Sequence, residues 1–449
     1  MIGTGRNMEE MPVPAVDLEW CRDWFRRNRA RSREWFDLLS DDAYRARPIS
    51  LRHPIVFYEG HLPAFNVNTL VKLGLGRPGV DAALEALFAR GIDPDEDEAA
   101  AAVAEWPSRP RVLAFADACD LLVEAAFGSE ALLRDDRPVL RRGLALFTIL
   151  EHEATHHETL LYMFHRLPAA AKKRPAGARP AVGGDPPPPR SVDVPAGAAT
   201  LGADPGDLAF AWDNELPAHR VDVPAFAIDV YDVTNRDFLR FVEDGGYEDR
   251  GLWTAENWEW REREGIRHPS FWFRRDGRWY WRGLFDDVPL PPAWPVYVSH
   301  AEADAYARWR SARLPTEAEY HRAAFGAPGG GERAFPWGSD APSARHGNFG
   351  LRHWDPVPVG SHPEGASAWG VHDLVGNGWE WTATVFAPFP GFEPIPSYPQ
   401  YSADFFDGGH YVMKGASPAT ASELLRRSWR NWFRPRYPYP YATFRCVRS

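Results

Sequence analysis

The sequence predicts an α+β protein of two bodies, a helical bundle followed by a domain of strands and long loops. Up to about residue 170 the apolar residues recur at three- and four-residue spacing, the pattern of helices with one face turned inward. A stretch dense in proline and glycine then breaks all periodicity. Beyond it, short apolar alternations, turn dipeptides and most of the chain's 20 tryptophans replace the helical pattern. The length, 449 residues, also exceeds what one ordinary core accommodates.

Five segments carry the helical pattern: residues 16–39, 54–73, 80–89, 111–127 and 138–167. Pro54 suits the first turn of the second, where its missing N–H costs nothing. Four principal helices make a bundle over residues 1–170, an architecture that builds metal sites from side chains on facing helices. Residues 171–194 include RPAGARP (174–180) and GGDPPPPR (183–190), a semi-rigid connector expected not to pack. The second body is expected over residues 195–449.

Composition narrows the class. With 44% hydrophobic and 25% charged residues, and no apolar run of spanning length, a soluble protein with no membrane partner is expected. Residues 1–14 are polar and acidic, unlike a signal peptide, so a cytoplasmic location follows. The net charge of −11 argues against nucleic acid as a partner, because phosphate binding needs clustered cations. The arginines of residues 26–33 read as a solvated helix face. Cys21, Cys119 and Cys446 are odd in number and widely spaced, so no disulfide framework or zinc knuckle is expected.

The chemistry concentrates in EHEATHHE (151–158). His152 and His156, at i and i+4, share a helix face and can offer two imidazoles to one ion. His61, in RHPIVFYEGHL (52–62), is the candidate third ligand from another helix, leaving open positions on the metal. An isolated i, i+4 histidine pair is more often solvated or core-capping, but this helix is otherwise strongly apolar, and buried imidazoles there need a reason. Glu153 and Glu158 are candidate acceptors behind the ligands. His157 and His165 fall off the 152/156 face and read as polar-face residues.

In the second half LPAHRVDVP (216–224), FAIDVYDVTN (226–235), RLPTEAEY (313–320), FPWG (335–338), DLVGNGWEWT (373–382) and FRCVR (444–448) follow one another in an order that resembles the formylglycine-generating-enzyme/sulfatase-modifying fold. That resemblance implies a C-type-lectin-like mixture of short strands, two helices and long loops. Formylglycine generation itself needs a cysteine pair, and Cys446 has no companion in its domain. Trp379 and Trp381 read as fold core.

The first half resembles the DinB-like metal-binding bundles, and the whole chain is similar to the ergothioneine sulfoxide synthase superfamily. These are mononuclear non-haem iron enzymes that couple a chalcogen donor to an imidazole carbon of a histidine derivative. The resemblance implies His61, His152 and His156 as ligands of Fe(II), with O2 as co-substrate and hercynine as acceptor. YPQY (398–401) and FFDGG (405–409) match the family segment with a catalytic tyrosine, here Tyr398, and a substrate-lining one, Tyr401. WRNW (429–432) matches the stretch that holds the histidine betaine, which implies Asn431 and Trp432 as contacts. Phe65 and Thr155 are further implied substrate neighbours; Thr155 stands where mycobacterial-type enzymes often have Gln.

Phe433 stands where enzymes taking γ-glutamylcysteine carry an Asp that meets the donor's ammonium. An apolar ring cannot compensate that charge. Together with residues 52–68 this favours the branch that takes a selenosugar and forms selenoneine, with coupling to cysteine or γ-glutamylcysteine as the alternative. A zinc-dependent thiol transferase, or a sugar-binding module on a degenerate bundle, are rival readings. Loops 244–281 and 386–399 are expected to line the donor pocket.

Overall fold

The computed structural model describes residues 16–89 and 106–449; residues 1–14, read above for a leader, lie outside them. Helix α1 (Leu18–Asp37) starts where the Asp17 carboxylate accepts from the backbone N–H groups of Glu19 and Trp20, at 3.0 Å each. Its buried residues, Cys21, Trp24, Phe25, Asn28, Ser32, Trp35 and Phe36 among them, recur at helical spacing. Helix α2 (Ile55–Asn66) is buried along its whole length and begins one residue after Pro54, which caps it. Pro63, inside it, has no N–H to give, and the helix continues as a π-helix over Val67–Gly74. Short α3 (Ala82–Leu87) and long α4 (Arg109–Ala126) complete the surround of α5 (Leu144–His165).

Helix α5 departs from expectation. The sequence placed His157 and His165 on a polar face, but both are buried. His157 Nε2 lies 2.8 Å from Ser32 Oγ of α1, and the ring stands edge-on to Trp35. His165 Nδ1 lies 3.1 Å from the Tyr441 hydroxyl and its Nε2 lies 2.5 Å from the carbonyl of Arg282. No residue of the helix is fully exposed in this region, because α1 covers one side and the C-terminal body another. The arginines of α1 divide likewise. Arg26 and Arg27 are exposed, whereas Arg29 is buried between Glu153 and Asp120.

The C-terminal body contains β1 (Ser191–Val194), β2 (Gly197–Leu201), β3 (His219–Val223), β4 (Phe226–Asp229), β5 (Trp272–Arg275), β6 (Arg278–Arg282), β7 (Asp287–Pro289), β8 (Gly378–Val385), β9 (Tyr411–Ala416), β10 (Asn431–Phe433), β11 (Ala442–Thr443) and β12 (Val447–Arg448). They form small sheets in the orders β1-β4-β12, β2-β3, β5-β6-β7 and β10-β9-β8-β11, antiparallel except for β11 beside β8. The described residues hold four helices of nine or ten residues where two were expected: α6 (Asn235–Glu243), α7 (Ala255–Arg263), α8 (His300–Trp309) and α9 (Glu317–Phe325). Ser299 with Glu302, and Thr316 with Glu319, close capping boxes on α8 and α9.

Trp379 and Trp381 of β8 are buried core, as expected. So is Arg445, whose guanidinium grips Glu380 at 2.6 and 2.8 Å and Asp232 at 2.8 Å. Arg445→Ala is expected to lower stability by about 3–5 kcal/mol in chemical denaturation, because two buried carboxylates lose their counterion. The connector also packs, against expectation. Ala178 and Pro186 are buried, and Trp294 Nε1 donates to the Ala181 carbonyl at 3.1 Å. No helix among the described residues is long and apolar enough to cross a membrane.

Candidate metal centre

One helical turn of α5 sets His152 and His156 side by side, and α2 delivers His61 opposite them. The three rings lie with centroids 4.4–5.2 Å apart. One ligand nitrogen from each lies within 4.8 Å of the others. His152 Nε2 and His156 Nε2 are 3.1 Å apart, close to the roughly 3 Å expected of two imidazoles sharing an ion at about 2.1 Å each. His61 Nδ1 donates to the Phe88 carbonyl at 2.7 Å, which leaves its Nε2 lone pair turned away from that bond. That Nε2 is buried and finds no hydrogen-bond partner among the described residues.

Burial pushes His61 down to about 4, with the Phe88 carbonyl opposing. It also holds His152 and His156 well below the ordinary range, each lowered further by neighbouring imidazoles. All three are therefore neutral at physiological pH, the protonation state a metal needs. Three converging, unprotonated nitrogens fit a first-row divalent ion.

The carboxylates expected behind the ligands are elsewhere. Glu153 accepts from Arg29 Nη1 and Ser32 Oγ at 2.7 Å each and from Asn66 at 3.1 Å, so it ties α5 to α1 and α2. Glu158 accepts from Trp379 Nε1 at 2.7 Å and Ser417 Oγ at 3.0 Å, tying α5 to the C-terminal body. The partner that orients a ligand imidazole is the Phe88 carbonyl, which carries no side-chain signal in the sequence.

Aromatic rings enclose the centre. Phe57, His61 and Phe65, at i, i+4 and i+8 of α2, form one stripe; Phe57 stacks on His61 at 4.9 Å and Phe65 on His152 at 3.5 Å. Tyr58 lies 5.7 Å from His156. From the C-terminal body Tyr398 comes to 6.1 Å from His152 and 5.3 Å from Phe65. Burial and Asp404 push its phenol up to about 12, so it keeps its proton at neutral pH. Tyr401 lies 5.8 Å from Tyr398, stacked on Trp212 at 3.7 Å.

Strand β10 supplies the rest through the two-residue alternation of a strand. Trp432 faces Tyr401 at 5.4 Å and stacks on Phe386. Phe433 points the other way, stacked on Tyr437 at 5.2 Å and 6.3 Å from Tyr162. Asn431 Oδ1 accepts from the Trp432 backbone at 2.8 Å. Thr155 donates its hydroxyl to the Glu151 carbonyl at 2.8 Å, within the helix. Loop 386–399 brings in Tyr398, whereas loop 244–281 packs Phe271 against His165, beyond the far end of the ligand turn. Sequence reasoning missed Phe57, Tyr58 and Trp212; the i, i+4 relation of Phe57 to His61 was the one available signal.

A sulfatase-modifying factor enzyme 1-like domain matches residues 179–449, and a DinB superfamily domain matches residues 25–160. The hercynine oxygenase of Mycolicibacterium smegmatis is 40% identical over 314 residues, which cover 68% of this chain and 70% of that protein. The chain belongs to the family of the hercynine oxygenases. A second family member, the hercynine oxygenase of Mycolicibacterium thermoresistibile, is 41% identical over 298 residues, covering 64% of this chain and 65% of its own length. Ergothioneine biosynthesis protein 1 of Neurospora crassa is 28% identical across 92% of this chain and 56% of its own. The chain thus spans about two thirds of the bacterial relatives and about half of the fungal one. The two-body organisation and the superfamily expected from the sequence are both found.

Proposed function

We propose that this protein is a non-haem Fe(II)- and O2-dependent enzyme that joins C2 of the hercynine imidazole to the selenium of a selenosugar, on the way to selenoneine. The observation that carries the reading is the convergence of three neutral imidazoles, two buried and one half-buried, beside a tyrosine that keeps its proton. Hercynine as acceptor is supported by the family, whose bacterial members are named for it. The selenosugar is supported by Phe433, whose ring packs with Tyr162 and Tyr437 and offers no carboxylate to a donor's ammonium group.

His61, His152 and His156 would hold the iron, and bound iron supplies a docking point for a soft selenolate and the electrons that dioxygen activation needs. Phe65, stacked on His152, fixes that ring and excludes water from it. Tyr401 and Trp432 would line the side where an imidazole lies, and Asn431 stands on the strand face it shares with Phe433. Tyr398 holds a proton at Oη to deliver during coupling. The coupling balances as imidazole C–H plus Se–H plus O2 giving a C–Se bond, a selenoxide and one water; elimination of the selenoxide would give an alkene and a selenenic acid, which two equivalents of an external thiol would reduce to selenoneine with release of a disulfide and water. Holding both partners at one centre provides the proximity free reactants lack.

Anaerobic reconstitution with Fe(II), followed by mass spectrometry of products from hercynine with each donor in air, tests the reading. A C–Se product from the selenosugar is expected. Exclusive C–S products from cysteine or γ-glutamylcysteine would instead support a sulfoxide synthase, the second reading, favoured by the 40% identity to a hercynine oxygenase. Phe433→Asp is expected to lower the KM for γ-glutamylcysteine about tenfold, the effect of one charge-assisted hydrogen bond to its ammonium.

A further inference from the structure

The loop carrying Tyr398 is fixed from one turn of chain, Trp212–Glu215, in which every residue makes a side-chain contact. Asp213 Oδ1 accepts from Ser402 Oγ at 2.5 Å, and its Oδ2 accepts from the Ile395 backbone N–H at 3.4 Å. Residues 395 and 402 bracket Tyr398, so one carboxylate ties down both ends of the loop. Asn214 Nδ2 donates to the same Ser402 hydroxyl at 2.9 Å. Trp212 stacks on Tyr401.

Glu215 connects the turn to the bundle. Its two oxygens accept from Arg426 Nη2 and Nε at 2.5 and 2.8 Å, and from Ser428 Oγ at 2.6 Å. The other edge of the Arg426 guanidinium donates to Glu151 at 2.7 and 2.9 Å. Glu151 immediately precedes His152 on α5. All three carboxylates, Glu151, Asp213 and Glu215, are at most 3% exposed. A second tie runs between Thr148 of α5 and Ser397, whose hydroxyls are 2.6 Å apart.

Tyr398 has ring contacts with Phe65, His152 and Tyr401. These set the plane of its ring but not its depth. The backbone path from 395 to 402 sets how far Oη reaches toward the imidazoles. We infer that the Trp212–Glu215 turn is the positioning device for Tyr398: Asp213 fixes the loop's length, and the Glu215–Arg426–Glu151 chain fixes its height along the helix that carries His152. Asp213 is a positioning residue, acting on the reacting atoms through Tyr398. The inference rests on Tyr398 being the proton donor.

Asp213→Asn and Ser402→Ala test it in the iron-reconstituted full chain. In both, amides of residues 396–401 are expected to exchange hydrogen about tenfold faster than in the native protein, the consequence of losing a charge-assisted hydrogen bond. Exchange in α5 and iron content should not change. Coupled product per O2 consumed is expected to fall about tenfold, with little change in the KM for hercynine. Combined with Tyr398→Phe, Asp213→Asn should add no further loss. An unchanged product-to-oxygen ratio in both variants overturns the positioning role, as does an undiminished further loss in the double variant. If Tyr398→Phe alone couples as the native protein does, the role of Tyr398 fails and the inference fails with it. Ser402→Ala keeps the net charge, so a folding defect peculiar to Asp213→Asn leaves the test intact.

Discussion

His152→Ala is expected to abolish stoichiometric iron binding while leaving the protein folded. The imidazole supplies one of three converging nitrogens, and two cannot hold a weakly binding ferrous ion against its hydration. Loss of a group that only orients a ligand costs up to about 100-fold in affinity, so loss of the ligand itself should exceed that. His157→Ala provides the control. His157 is equally buried one residue beyond His156, but it lies against Ser32 and Trp35 instead of the triad. Iron content by metal analysis after anaerobic reconstitution should therefore fall to background in the first variant and remain near one per chain in the second. Full loading of His152→Ala would remove it as a ligand.

The second large effect is expected at Tyr398. Tyr398→Phe keeps the ring that packs against Phe65 and Tyr401 and removes one hydroxyl. Iron and hercynine binding should persist. Coupled product per O2 should drop by about 100-fold, the low end for losing a positioned proton donor, with oxygen diverted to oxidation of the donor alone. Oxygen uptake measured alongside product separates these outcomes. A native ratio of product to oxygen would exclude the hydroxyl from the reaction.

Much of this was legible in the sequence because it is periodic or local. The segment 111–127 becomes Arg109–Ala126, and 138–167 shortens to Leu144–His165 because Gly143, at φ 73°, breaks the chain just before the helix. The pairing of His152 with His156 follows from helical geometry alone. What escaped depends on which surfaces cover which. A helical wheel assumes one solvent side, and α5 has no fully exposed residue where His157 and His165 sit; their partners, Ser32 and Tyr441, are 125 and 276 residues away. Glu153 and Glu158 read as acceptors behind the ligand imidazoles for the same reason, whereas they join α5 to its neighbours. The turn of residues 212–215 lies more than 180 residues from the tyrosine loop it holds, a separation no local pattern spans.

X-ray absorption at the iron edge of the anaerobically reconstituted protein tests the central claim most directly. Three imidazole nitrogens in the iron's inner sphere are predicted, and His61→Ala, which removes the ligand from the separate helix α2, is predicted to lose both the bound iron and this signal. A native spectrum with two or fewer imidazoles, or one unaltered by that substitution, would contradict a centre built from both helices.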